Sequence, residues 1–121
     1  MRELAEARTD VLLGPDASAG LRTGVIATMG RIDPAAFRLG AAAVWLADQR
    51  DRAANIEAPT LILVGTEDKV TPPALSEELG RLIAGSSVVA IDAAGHLANA
   101  ERPEAFNAAI DLFLRRHESE V

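Results

Sequence analysis

Residues 58–73 read A-P-T-L-I-L-V-G-T-E-D-K-V-T-P-P, and residues 87–103 read S-V-V-A-I-D-A-A-G-H-L-A-N-A-E-R-P. The first holds a short, continuous apolar run, Thr60 to Val64 between Pro59 and Gly65, and the second a similar strand, Ser87 to Ile91, ahead of Asp92. Runs of this length, rich in β-branched residues and closed by breakers, predict strands buried on both faces, as in a parallel sheet. Between them Thr71-Pro72-Pro73 starts a helix with Leu75, Leu79, Leu82 and Ile83 inward. Pro103 opens a last helix with Phe106, Ala109, Ile110, Phe113 and Leu114 inward, fraying into the charged tail R-R-H-E-S-E-V. Strand, helix, strand, helix at this spacing predicts a right-handed parallel βαβ unit followed by a packing helix.

In an open α/β sheet, functional groups gather in the loops at the carboxyl ends of the strands. Asp68 falls four residues beyond Val64, and His96 falls five beyond Ile91. On neighbouring strands the two side chains would emerge at one sheet edge and meet. A carboxylate on one imidazole nitrogen fixes the tautomer and stabilises the imidazolium that forms when the other nitrogen takes a proton. Each residue also has an ordinary reading. Asp68 ahead of T-P-P serves equally as a cap or a solvated loop residue, and His96 after Gly95 equally as a turn residue. The pair is stronger than its parts, with Gly95 expected to allow a tight turn before the ring.

Residues 1 to about 55 read as helix. Leu4, Arg8, Val11 and Leu12 recur at helical spacing until Gly14-Pro15 breaks the pattern. Leu21, Val25, Ile26 and Met29 form a second stripe, with Gly30 expected as its C-cap. Asp33-Pro34 is an N-cap followed by proline at the first helical position. Phe37, Ala41, Val44, Trp45 and Asp48 then share a face of a third helix expected to run to about Arg52. Two segments follow, a helical 1–55 and an α/β 56–121.

With 121 residues, 49% hydrophobic and 25% charged, the chain has the composition of one globular domain. A net charge of −6, with Lys69 the single lysine, argues against nucleic acid or an anionic membrane as partner. The absence of cysteine excludes disulfides and thiolate chemistry. Two histidines far apart, without clustered carboxylates, argue against a metal site, and no cofactor is implied. The charged opening M-R-E-L-A-E-A-R-T-D lacks a signal-peptide core. The longest apolar run, Ala41 to Ala47, is far below the ~20 residues that span a bilayer. A cytoplasmic protein is the expectation.

The segment from about Ile56 to Leu114 resembles the last two strands and helices of α/β-hydrolases. The matching residues are I-x-A-P-T-L-I-L-V-G-x-x-D-x-x-T-P-P, A-G-H-L-A-N-A-E-R-P-E-A-F-N and the closing F-L-R-R. The resemblance implies a partial α/β-hydrolase fold, with Asp68 as triad acid and His96 as triad base. Glu67 and Asp92 are nearby acids outside the matching position, and His117 is expected to be solvated in the tail. The helical segment 1–55 stands where such enzymes carry a cap. D-P-A-A-F-R and A-D-Q-R look like lactonase and esterase relatives, 3-oxoadipate enol-lactonase-like proteins in particular. On that resemblance Trp45, Phe37, Met29 and Leu97 would contact a small ester or lactone substrate. The competing reading makes Trp45, Phe37 and Met29 interior faces of helices.

The nucleophile of that family is missing from these residues. No G-x-S-x-G occurs, and the serines are Ser18, Ser76, Ser86, Ser87 and Ser119. G-P-D-A-S-A-G around Ser18 has Asp16 where the motif requires glycine, and it follows a helical stripe, not a strand. Two strands cut from a larger sheet would also leave an apolar edge open to water. The expectation is therefore the cap and C-terminal part of a serine hydrolase, inactive alone, that joins a nucleophile-bearing N-terminal half or self-associates. The alternative is a non-catalytic α/β module acting through protein contacts. A further alternative keeps the scaffold but opens haloalkanes or epoxides with an aspartate nucleophile supplied from the missing part.

Overall fold

The computed structural model describes residues 1–118. The helical segment comprises α1 (Arg2–Leu12), α2 (Ala19–Gly30), α3 (Pro34–Leu46) and the short α4 (Arg50–Ala53). The α/β segment runs β1 (Leu61–Gly65), α5 (Pro73–Leu82), β2 (Ser87–Ile91), α6 (Ala98–Glu101) and α7 (Pro103–His117). Strands β1 and β2 pair in parallel with Leu61 opposite Ser87 and Gly65 opposite Ile91. Both α5 and α7 pack on the strand pair, and α1 packs on α2. Among the described residues no helix is long and apolar enough to cross a membrane.

The core lies under the ends of the strands. Ile91, Ala94 and Ala98 form a buried cluster against which Leu63, Val89 and Phe106 pack. The strands are less covered than their apolar runs suggest. Val64 and Gly65 of β1 are buried, but in β2 only Ile91 is, and Val88 is 39% exposed. A two-stranded sheet offers too few neighbours to cover both faces, so the expectation of full burial fails over most of β2.

Several local expectations are corrected. In α1 the buried positions are Ala5 and Thr9, continued by Leu13, while Leu4 and Val11 lie toward solvent. The buried face is thus one residue round from the stripe of larger side chains. Thr9 tolerates burial because its hydroxyl donates to the Ala5 carbonyl at 2.6 Å. Gly30 is the last residue of α2 and not its cap; Arg31 takes that place in a right-handed conformation, φ −90°. Helix α3 begins as expected, with Asp33 Oδ1 accepting the N–H groups of Ala35 and Ala36. It stops at Leu46, however, because Ala47 is extended and Asp48 folds onto Arg50, accepting its N–H and its guanidinium. On that helix Phe37 and Ala41 are half-buried while Val44 and Trp45 are exposed.

At the far end, α7 keeps Phe106, Ala109, Ile110 and Phe113 half-buried, but Leu114 is 51% exposed. His117 is the last residue of α7, half-buried with its ring 4.6 Å from that of Phe113, and is not solvated as expected. Arg115 and Arg116, expected to fray, instead form the last turn of α7 with His117, and Glu118 caps it, while Ser119 to Val121 lie outside the described residues.

Candidate active site

The loops that leave β1 and β2 are bonded to each other before their side chains are considered. Thr66 N–H donates to Ile91 O at 3.0 Å, and Glu67 N–H donates to Ala94 O at 2.8 Å. The Thr66 hydroxyl accepts Ala93 N–H at 2.9 Å. These cross-links continue the parallel ladder past its last strand residues and carry both loops outward together. Gly65 is required for that approach: a Cβ there would collide with the carbonyl oxygens of Ala94 and Gly95. The turn into the histidine is made by Ala93, which takes φ 51°, and not by Gly95 as expected. Gly95 serves a different need, since a Cβ on it would lie 2.5 Å from Gly14 N and 2.7 Å from Leu12 O.

Asp68 is buried and accepts four hydrogen bonds. Its Oδ1 takes the N–H groups of Val70 at 2.8 Å and Thr71 at 2.9 Å. Its Oδ2 takes the Thr71 hydroxyl at 2.9 Å and faces His96 Nδ1 at 2.9 Å. Burial is the strongest influence on this carboxyl and pushes its pKa up. The Thr71 N–H, His96, the Thr71 hydroxyl and the Val70 N–H all pull the other way, and together they hold it below the ordinary value of 3.8. An ionised carboxylate only accepts, so the proton between the pair belongs to Nδ1 of His96, leaving Nε2 as the basic nitrogen. The side chain of His96 is 33% exposed against 5% for Asp68. The carboxylate is therefore enclosed while the imidazole opens outward.

Thr71 also lies 3.2 Å from Nδ1 of His96 through its hydroxyl, so it touches both members of the pair. Sequence reasoning gave it no role beyond a helix start. Glu67 and Asp92, the competing acids, are exposed, and the pairing goes to Asp68. Ser18 caps α2 by accepting Leu21 N–H at 3.1 Å, Ser86 donates to Gly80 O at 3.1 Å, and Ser87 begins β2. The elbow rejected on sequence is thus a helix–loop–helix joint. Among the described residues no group of three or more His, Asp or Glu is placed to hold a metal ion.

A cleft of about 720 Å³ adjoins the pair through Thr71. Trp45 and Leu46 line one side, Leu75, Ser76, Leu79 and Leu82 of α5 the other. Asp48, Arg50 and Glu78 rim it, Arg50 Nη2 lying 2.6 Å from Asp48 and Nη1 3.6 Å from Glu78. The Arg50 guanidinium, chiefly through its side-chain hydrogen bond, draws the Asp48 carboxyl down to about 2. Of the residues expected to contact substrate, Trp45 lines this cleft, 78% exposed. Phe37, Met29 and Leu97 are half-buried and lie outside its lining. Leu97 instead stands at the start of α6, its carbonyl accepting Ala100 and Glu101 N–H.

Comparison with known proteins gives the same architecture. Residues 2–109 match the Alpha/beta hydrolase family. The 3-oxoadipate enol-lactonase 2 of Acinetobacter baylyi is 34% identical over 70 residues, 58% of this chain and 26% of that one. The pimeloyl-[acyl-carrier protein] methyl ester esterase of Neisseria meningitidis is 35% identical over 75 residues, 62% of this chain and 24% of that one. A hydrolase from Pseudomonas aeruginosa superimposes with a TM-score of 0.85 at 31% identity, covering 94% of this chain and 44% of that structure. The chain spans about a quarter of the length of these curated relatives.

Proposed function

The chain belongs to the alpha/beta hydrolase family, and from that premise we propose that it supplies the acid and base of a serine hydrolase acting on a small ester or lactone. The observation that carries this reading is the 2.9 Å contact between Asp68 Oδ2 and His96 Nδ1 beyond the carboxyl ends of two parallel strands. In the proposed reaction Nε2 of His96 takes the proton of a serine hydroxyl as its oxygen adds to the substrate carbonyl. The same proton then passes to the departing alcohol oxygen. In the second half His96 takes a proton from water, which attacks the acyl-serine, and returns that proton to the serine oxygen. Asp68 holds the ring and balances the imidazolium in each half. The serine is contributed by a segment other than these 121 residues, which contain no G-x-S-x-G.

The cleft beside Thr71 supports an acyl or alcohol group of apolar character, with Trp45 as one wall. The printed activities of two of the relatives, an enol-lactonase and a methyl ester esterase, support the ester or lactone class. The test combines this chain with the nucleophile-bearing N-terminal portion of a family hydrolase and follows p-nitrophenyl acetate and butyrate. Hydrolysis is expected in the mixture and not in either part, and His96→Ala in this chain abolishes it. A stable complex that hydrolyses no faster than its His96→Ala counterpart overturns the proposal.

A second reading, a module that acts through protein contacts without catalysis, is favoured by the exposure of Leu39, Val44, Trp45 and Leu46, 74% to 85% each. On that reading substitution of Asp68 or His96 leaves partner binding intact and Trp45→Ser weakens it.

A further inference from the structure

The loop that carries His96 is held from a second side, by residues 12–16 at the other end of the sequence. His96 N–H donates to Leu12 O at 2.7 Å. The Glu101 carboxylate spans the same junction: Oε1 accepts Gly95 N–H at 2.9 Å, and Oε2 accepts Gly14 N–H at 2.7 Å, across 87 residues of sequence. Both glycines are buried. Two buried backbone donors therefore converge on one carboxylate, and one belongs to the residue immediately before the proposed base. Arg102, the next residue, reinforces the junction by reaching Asp16 with Nη2 at 3.2 Å and Asp92 O with Nε at 3.4 Å. The shape of the junction leaves no room for side chains: a Cβ on Gly14 would stand 2.9 Å from Glu101 Oε2 and 3.1 Å from Gly95 N.

We infer that Glu101 is a positioning residue for His96, fixing the peptide on which the imidazole sits by tying Gly95 to Gly14. The inference rests on His96 being the base. The physical argument is one of angles. Asp68 and the Thr71 hydroxyl both meet the ring at Nδ1, one atom about which the ring and its Cα could still swing. The Glu101 bridge and the His96 N–H to Leu12 O bond anchor two successive main-chain N–H groups, those of Gly95 and His96, so the Cα that carries the ring is held from its N-terminal side and the range open to Nε2 narrows. Bonds from N–H groups to a carboxylate are roughly twice as strong as those between neutral partners, which suits a joint made of two flexible glycines. Glutamine preserves the size of this side chain but not its function, because its amide offers one acceptor oxygen and sets a donor against the second N–H.

The test uses the 121-residue chain labelled with nitrogen-15, and reads the Gly14 and Gly95 amides together with the ring nitrogens of His96. His117, the other histidine, is the internal control. In the unsubstituted chain both glycine amides and a hydrogen-bonded Nδ1 proton of His96 are expected well downfield. In Glu101→Gln one or both amides move upfield, and the His96 ring loses its single Nδ1–H tautomer while the His117 signals stay in place. Glu101→Asp, which keeps both acceptors on a shorter arm, is expected to restore part of the His96 signal, and it carries the comparison if Glu101→Gln fails to fold. Displaced glycine amides with an unchanged His96 ring would overturn the inference, leaving Glu101 a purely structural tie. Because the readout is spectroscopic, absence of esterase activity in the mixed hydrolase would count against the proposed function without touching this result.

Discussion

Oδ2 of Asp68 lies 2.9 Å from Nδ1 of His96, and the same oxygen accepts the hydroxyl of Thr71 at 2.9 Å. Oδ1 is meanwhile occupied by two backbone N–H groups, so this carboxylate has no lone pair facing a competitor. That saturation decides the tautomer of the ring. Asp68→Asn replaces one oxygen by an amide donor. With Oδ1 still claimed by Val70 and Thr71, the donor faces Nδ1 and forces the ring proton to Nε2. In the reconstituted hydrolase the expected loss is about 10⁴ in kcat, the scale found when a triad acid becomes an amide. Loss of less than tenfold would show that the pair does not serve the reaction.

Thr71→Val keeps the shape of the side chain and removes the hydroxyl. One hydrogen bond to a charged acceptor disappears, and Asp68 loses one of the groups that hold its carboxyl low. Because Thr71 itself faces solvent, the expected cost is about 1 kcal/mol, below the usual range for bonds to charged groups. Urea unfolding at neutral pH measures it, and an unchanged midpoint would contradict the assignment.

Acid should weaken the fold through Asp68. Its folded-state pKa is depressed, so the unfolded chain binds the proton more readily than the folded one. The stability it contributes is fully present above the unfolded carboxylate value of about 3.9. That stability is lost as pH falls through the lower folded value. Denaturation midpoints taken from pH 6 down to pH 2.5 should fall more steeply below about pH 4 in the unsubstituted chain than in Asp68→Asn.

The pair was legible in the sequence because each member stands a few residues beyond a strand whose apolar run is local. Thr71 was not, since its reach to both partners depends on how the loop folds back. Glu101 was still less accessible: nothing in the sequence joins it to Gly14, and only the approach of the residue 12–16 segment to the histidine loop makes them neighbours. Burial in α1 follows the small residues Ala5 and Thr9, whereas periodicity follows the larger Leu4 and Val11. Likewise the end of α3 is set by Asp48 bonding to Arg50, a choice that a run of helix-compatible residues conceals.

Gly65→Ala tests the close approach of the two loops that carry Asp68 and His96. The added methyl would overlap the carbonyls of Ala94 and Gly95, which are backbone and cannot rotate away. Glu67 N–H bonds to Ala94 O in the same crossing, so relief would have to break that bond as well. The expected destabilisation is at or above the ~1–3 kcal/mol typical of overpacking. A variant that unfolds at the same urea concentration as the parent would show that the loops have room to part.

The apolar end of α3 gives the last prediction. Val44, Trp45 and Leu46 are 75%, 78% and 85% exposed in succession, and Leu39 lies one to two turns before them at 74%. Exposed apolar side chains gathered on one helix are expected to favour association in water. Helix α3 contributes no fully buried residue to this chain, so replacing its outward side chains should not unfold the chain. The double substitution Trp45→Ser with Leu46→Ser is therefore expected to reduce self-association in sedimentation velocity and the binding of a hydrophobic dye, with little change in the unfolding midpoint. In the reconstituted hydrolase the same variant should weaken ester binding through the cleft that Trp45 lines, read as a raised KM. A parent chain that sediments as a monomer at high concentration and binds no dye would sink the association half of this prediction. An unchanged KM would sink the other half.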